Sequence, residues 1–343
     1  MSGTTYDAFL LLSFGGPEGM DDVQPFLENV LRGRNVPAER MKEVAHHYEL
    51  VGGVSPLNAQ NRALLAAVKD EFAAHGTGLP VFWGNRNWRP YLADTMKEIA
   101  DAGHRRVVAF ATSAFSCYSG CRQYREDLAR AREAVGPSAP EVDKVRVFYN
   151  HPGFIAANIA RVEEVLGQLA PSERESVRLV FTAHSLPVSM ATAAPYEAQL
   201  RETARLVAEG VGVPDWDLVY QSRSGPPSQP WLEPDVCDHL RAVREAGVEV
   251  VALSPIGFTS DHMEVVYDLD TEARECCEEI GLRMVRAGTA GTHPAFVAMI
   301  RELVEERMQE NPMRRSLGGE GAWPDICPEG CCVSAARRGP VRG

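Results

Sequence analysis

Lysine is scarce in this 343-residue chain: of 35 basic residues only Lys42, Lys69, Lys97 and Lys144 are lysine, and 47 acids bring the formal charge to −12. Binders of a nucleic-acid backbone concentrate positive charge, so this balance argues against that class, and an anionic ligand needs a local basic pocket. Long apolar runs are missing too. None approaches the roughly eighteen residues that a membrane-spanning helix needs. The first sixteen residues hold no Lys or Arg and their apolar stretch is short, so they read as a first strand rather than a signal peptide. Cysteine is thin, eight residues at 117, 121, 237, 276, 277, 327, 331 and 332, which is no disulfide framework. The expected compartment is a reducing cytoplasm, where clustered cysteines more often hold metal than pair.

What is present is ordinary for a folded protein, 45% hydrophobic and 24% charged, at a length that favours two domains over one core. Short apolar runs bounded by Gly, Pro, Asn or Ser alternate with segments of helical period, the pattern of βαβ units. Strands are predicted near 6–13, 79–84, 106–113, 145–149, 178–183, 217–221, 249–256 and 283–286. Helices are predicted over 21–32, 38–50, 58–74, 91–102, 120–135, 153–169, 195–209, 233–246, 262–280 and 293–310. The spacing divides the chain into an α/β domain over 1–150, a second over 151–312, and an extension over 313–343 that carries three cysteines. No sequence repeat links the halves. Ligands of parallel sheets sit outside the carboxyl ends of the strands, which directs attention to 13–16, 84–86, 113–118, 182–185, 221–223 and 257–264.

Two of these segments carry chemistry. Glu264, Asp268 and Glu272 recur at i, i+4 and i+8, so their carboxylates share one side of a predicted helix, where like charges repel unless a cation visits. An acidic solvated face, or Glu264 as capping-box partner of Asp261, is the plainer account of the same spacing. His184 ends the apolar strand RLVFTAH and stands at the mouth of the sheet, where an imidazole can take a proton or a metal near neutral pH. His262, two residues before Glu264, is either a supporting group or part of the helix's first turn.

The segments LLLSFGGPEG, HHYELVGGVSPLNAQ, FTAHSLP, YQSRSGP and SPIGFTSDHMEVVYDLDTEA, in this order over nearly all of 6–310, resemble the ferrochelatase family. The resemblance implies two flavodoxin-like, chelatase-type domains, each a parallel sheet flanked by helices, around a cleft that holds a porphyrin substrate and inserts Fe(II). It implies His184 and Glu264 as the catalytic, metal-handling pair, with Asp268 and Glu272 as a metal path. His47, Tyr48, Ser55 and Tyr124 are implied porphyrin-binding positions, with Arg32 or Arg34 as further basic candidates. Two positions depart from relatives: Phe14 replaces a tyrosine able to reach the metal, and His47 stands where several relatives have arginine. The tail WPDICPEGCCVSAARRG resembles the cysteine extension that holds a [2Fe–2S] cluster in some members, through Cys327, Cys331 and Cys332. Its fourth ligand is expected near 151–158, where no cysteine stands, leaving another cysteine, such as Cys237, or a non-cysteine group. Cys117, Cys121, Cys276 and Cys277 are read as structural.

The expected reaction is conversion of coproporphyrin III to its iron complex in heme synthesis, as in actinobacterial members, before hand-over to downstream heme-pathway enzymes. Protoporphyrin IX as substrate, cobalt or nickel chelation of a related tetrapyrrole, and a porphyrin carrier without turnover are the competing readings.

Overall fold

The computed structural model describes residues 5–32, 38–225 and 228–334. In the first half β1 (Ala8–Ser13) leads through α1 (Met20–Leu31), α2 (Ala38–Glu49) and α3 (Leu57–His75) to β2 (Val81–Asn85). Then follow α4 (Leu92–Asp101), β3 (Arg106–Ala111), a π turn (Tyr118–Arg122), α5 (Gln123–Val135) and β4 (Glu141–Lys144). The second half runs α6 (Pro152–Leu166), α7 (Pro171–Ser176), β5 (Arg178–His184), α8 (Val188–Ala191), α9 (Tyr196–Val211), β6 (Trp216–Gln221), α10 (Val236–Glu245) and β7 (Val250–Ser254). It continues with α11 (Met263–Tyr267), a second π turn (Asp268–Ala273), α12 (Arg274–Ile280), β8 (Arg283–Arg286) and α13 (Pro294–Met308).

Each half builds one four-stranded, all-parallel sheet, in the orders β2-β1-β3-β4 and β6-β5-β7-β8. The two orders are the same pattern, so the halves repeat in topology with no repeat in sequence. The chain leaves its first strand to one side for the second and to the other for the third. That reversal makes the crevice between β1 and β3, and that between β5 and β7, the places where ligands bind.

One structural difference from the sequence reading concerns the fourth strand, expected at 145–149 and found at Glu141–Lys144. An edge strand needs no continuous apolar run, and EVDK has none. The apolar run VRVFY belongs to the buried segment that follows: Val145 N–H closes a last bond to the Ala109 carbonyl at 2.9 Å. The chain then enters the core shared by the halves, where Phe110, Phe148, Phe154 and Phe296 meet with ring centroids 5.0–6.1 Å apart, each such pair adding about 0.5–1.5 kcal/mol beyond its area. Arg146, fully buried there, makes a bidentate pair with Glu306 of α13 at 2.8 and 2.9 Å. This shared core presses the two sheets together, and Thr259 Oγ1 donates to the Thr112 carbonyl at 3.1 Å between the carboxyl ends of β7 and β3.

Candidate active site

β5 is buried from Leu179 to Ala183, and its last residue, His184, emerges at the β5/β7 crevice. Tyr196 Oη donates to its carbonyl at 3.1 Å, and the next amide donates to the Gln221 carbonyl at 2.7 Å. The loop after β7 passes so close that a Cβ on Gly257 would lie 2.6 Å from the Cα of Ala183, so only glycine lets this loop reach the end of β5. It delivers His262, which caps α11 by accepting the Glu264 amide on Nδ1 at 3.2 Å. The helix thus starts one residue later than expected, and Asp261 is not its cap. Asp261 pairs instead with Arg286 at 3.3 Å, which removes the capping-box account of Glu264.

His184 Nδ1 faces the Ser185 carbonyl at 2.5 Å. A carbonyl only accepts, so Nδ1 carries hydrogen and Nε2 is the ring atom free to exchange a proton. Nε2 lies 3.7 Å from Glu264 Oε1, and Glu264 Oε2 lies 3.4 Å from His262. Burial alone would lower the pKa of His184, but the Glu264 carboxylate overcomes it and leaves the imidazole above its usual value. Burial likewise works against the Glu264 anion, yet His184 and His262 hold its pKa down at about 2. Next outward, Asp268 is pushed up to about 7, first by burial and then by the charges of Glu264 and Glu272. It accepts hydrogen bonds from Ser222 Oγ and, at 3.3 Å, from Gln221 Nε2. Ser222 holds a left-handed backbone (φ 62°), strain found where a side chain must be aimed. The acidic row does not ride on one α-helix: Asp268–Ala273 is a π turn, an inserted distortion frequent at functional sites. The row runs from half-exposed Glu264 in the crevice past Asp268 to exposed Glu272.

Comparison with known proteins places the whole chain. The ferrochelatase family model matches residues 6–308. The chain belongs to the ferrochelatase family. It is therefore a metal chelatase, a lyase. A ferrochelatase of Rhodopirellula baltica is 57% identical over 98% of this chain and 96% of that relative. A coproporphyrin III ferrochelatase of Streptomyces coelicolor is 50% identical over 100% and 97%. Among solved structures, SirB from Bacillus subtilis with Fe3+ shares the fold, with a TM-score of 0.56 at 12% identity over 89% of this chain and 96% of that one. No helix of the described residues is long and apolar enough to cross a membrane.

The remaining positions expected from the ferrochelatase resemblance lie in the first half. Gly15 (φ +83°) and Gly16 turn the chain after β1, and a Cβ on Gly16 would lie 2.7 Å from Ser55, so Ser55 is packed beneath this turn. Tyr48 is buried with Phe26, Trp88 and Met263, and its hydroxyl is held protonated by burial and by the Glu264 charge. His47 stacks on Tyr267 at 3.7 Å and 11°, joining α2 to α11. Phe14 packs edge-on against Phe26. Tyr124 is buried under the Arg86 guanidinium, 4.6 Å from its ring, and packs in the core around β1 and β3. Arg32 closes α1 by donating to Asn29, and Arg34 lies outside the described residues. Sequence reasoning missed Ser222 and Gln221 as partners of Asp268, although both stand at a strand end already singled out.

The tail adds a neighbour to one of the cysteines. Cys121, expected to be structural, sits in the π turn before α5 with its thiol in hydrogen-bonding contact with Cys327 and Cys332. Those two contacts pull the Cys121 thiol far below its usual value and push Cys327 and Cys332 up. Arg125 Nη2 donates to Cys331 Sγ at 3.3 Å, and Arg122 donates to the carbonyls of Glu329 and Cys331 at 3.2 Å. Cys237 lies elsewhere, against Cys276, and the segment 151–158 begins α6 with His151 as its cap. Among the described residues, no group of three or more His, Cys, Asp or Glu side chains is placed so that it could hold a metal ion.

Proposed function

We propose that this chain inserts Fe(II) into coproporphyrin III in heme synthesis. The reading rests on the family, on full-length relatives named coproporphyrin III ferrochelatase at about 50% identity, and above all on His184 Nε2 facing Glu264 at 3.7 Å in the β5/β7 crevice. A free-base porphyrin gives up two N–H protons as the metal enters, so the cleft must accept and export them. His184 is the base: its Nε2 takes a ring proton, and Glu264 raises its basicity. Arriving Fe(II), bound transiently by the Glu264 carboxylate oxygen, places positive charge beside the imidazolium and drives the proton off Nε2, and the second ring proton leaves by the same route. Asp268, poised near neutrality, accepts it and passes it to Glu272. His47, Tyr48 and Ser55 form the porphyrin side of the cleft and Tyr124 supports it.

The gathered cysteines fit a [2Fe–2S] cluster by donor set, four thiolates, which is the all-cysteine complement such clusters use. Cys121, Cys327, Cys331 and Cys332 would hold it, and when bound it supplies one-electron redox chemistry. Eight free cysteines suit the reducing cytoplasm we assign, where downstream heme-pathway enzymes accept the product.

The test is anaerobic turnover of the purified protein with Fe(II) and either coproporphyrin III or protoporphyrin IX, followed by the Soret shift. Coproporphyrin III is expected to be the better substrate, and His184→Ala to lose at least about a hundredfold in rate, the lower end for a positioned base. Preference for protoporphyrin IX overturns the substrate, and a His184→Ala variant with wild-type turnover overturns the site.

A further inference from the structure

A cavity separate from the His184 crevice lies where the tail meets α5, β4 and α13, with Cys121 and Cys327 among its lining residues. Its volume is about 240 Å³, and its walls carry five cations: Arg125, Arg132, Lys144, Arg146 and Arg307. Only Asp143 and Asp325 oppose them from the same walls, joined by Glu306 behind Arg146. Five positive charges against three is a local reversal in a chain of charge −12.

The hydrogen-bond account of this cavity does not close. Arg146 spends Nε and Nη2 on Glu306 and on the Arg315 carbonyl. Its remaining Nη1, the Nε of Arg125 and the Nε of Arg307 are shielded from solvent and reach no protein acceptor. Arg146 is 1% exposed. A buried donor without an acceptor costs about 1–3 kcal/mol, more when charged, so three of them lining one cavity mark a place for an acceptor-rich guest. Guanidinium groups recognise tetrahedral oxyanions through several N–H donors at once.

We propose that this cavity is an oxyanion site of the phosphate class, in which one guest accepts from Arg125, Arg146 and Arg307 together. The walls belong to different parts of the chain: Arg125 to α5, Lys144 to β4, Arg307 to α13, and Trp323 through Cys327 to the tail. The tail is already tied here by Asp325, which pairs with Arg307 at 3.6 Å and with Arg314. An anion in the cavity therefore clamps the tail against the body of the protein and keeps Cys327 beside Cys121.

The experiment is calorimetric titration of the full-length protein, purified in chloride buffer, with inorganic phosphate, sulfate and glycerol phosphate at matched ionic strength. Hydrogen exchange of residues 323–332 is measured alongside. Saturable phosphate binding is expected, at least tenfold weaker in Arg125→Gln and in Lys144→Gln, unchanged in Arg241→Gln on exposed α10, and accompanied by slower exchange of the tail. Glycerol phosphate binding as well as phosphate identifies a phosphate ester as the guest, and phosphate alone a free anion; either supports the site. Lys144 donates to the Val145 carbonyl and to no tail sulfur, so Lys144→Gln decides the matter if Arg125→Gln loosens the tail. Absence of saturable binding in the wild type, or equal weakening by Arg241→Gln, overturns the proposal. So does an Arg125→Gln protein whose visible spectrum changes while phosphate affinity does not, since that outcome assigns the donors to the tail sulfurs.

Discussion

Replacing Asp268 by asparagine is expected to stabilise the protein, and to do so more as pH rises. Asp268 is pushed from its ordinary 3.8 up to about 7 by burial and by Glu264 and Glu272, against the hydrogen bond from Ser222 and the nearby His184. A carboxyl whose folded pKa lies above its unfolded one contributes stability at low pH and loses it as pH climbs through the folded value. Between about 4 and 7 the folded state binds the extra proton, so stability falls with pH across that window and levels off above it. At 1.36 kcal/mol per unit the full gap sets a ceiling of about 4 kcal/mol. Asparagine keeps the neutral shape but weakens the bond from Ser222, and water in the crevice screens the neighbouring carboxylates, so about 1–2 kcal/mol should survive. Urea denaturation of wild type and Asp268→Asn at pH 5 and pH 8 measures it. The variant's advantage should widen by about 1–2 kcal/mol between the two pH values. An advantage that is constant, or that shrinks toward pH 8, refutes the placement of this carboxyl in a repulsive, shielded row.

Glu264→Gln removes the charge that raises His184. Glu264 Oε1 lies 3.7 Å from Nε2, and its charge holds the imidazole above its usual pKa against burial. The acid limb of the pH–rate profile for iron insertion should therefore move to lower pH in the variant, whatever the loss in amplitude; a limb that stays in place shows that another group titrates. Cys121→Ser should bring iron and sulfide in anaerobically purified protein down to background, while Cys237→Ser keeps them. The reverse result returns the fourth ligand to Cys237.

Most of the strand pattern was legible because buried parallel strands are continuous apolar runs. The fourth strand was not, because an edge strand needs no such run and the more apolar VRVFY beside it serves the core between the halves. His184 and Glu264 could be picked out by position, one at a strand end and one in an acidic row. Their mutual distance could not, since it depends on Gly257 passing Ala183. The contact of Cys121 with the tail was not legible because nothing local distinguishes a thiol that packs from one that meets a partner about two hundred residues away. The unpaired donors of Arg125, Arg146 and Arg307 are invisible in sequence for the same reason: an arginine reveals what it lacks only after its neighbours are placed.

The two π turns tie these observations together. Each half has one, and each lies in the connection that follows the third strand of its sheet: Tyr118–Arg122 after β3 and Asp268–Ala273 after β7. Their sequences, YSGCR and DLDTEA, share nothing, so the correspondence exists only in topology. A π turn forgoes regular i→i+4 bonds and persists where the displaced side chains do something an unbroken helix would not allow. In the second half the displaced residue is Asp268, turned toward Ser222 and the crevice; in the first it is Cys121, turned toward the tail. The loops leading into them are joined by the bond from Thr259 to the Thr112 carbonyl. One fold position, duplicated, thus places the carboxyl of Asp268 beside Ser222 in one half and the thiol of Cys121 beside the tail in the other.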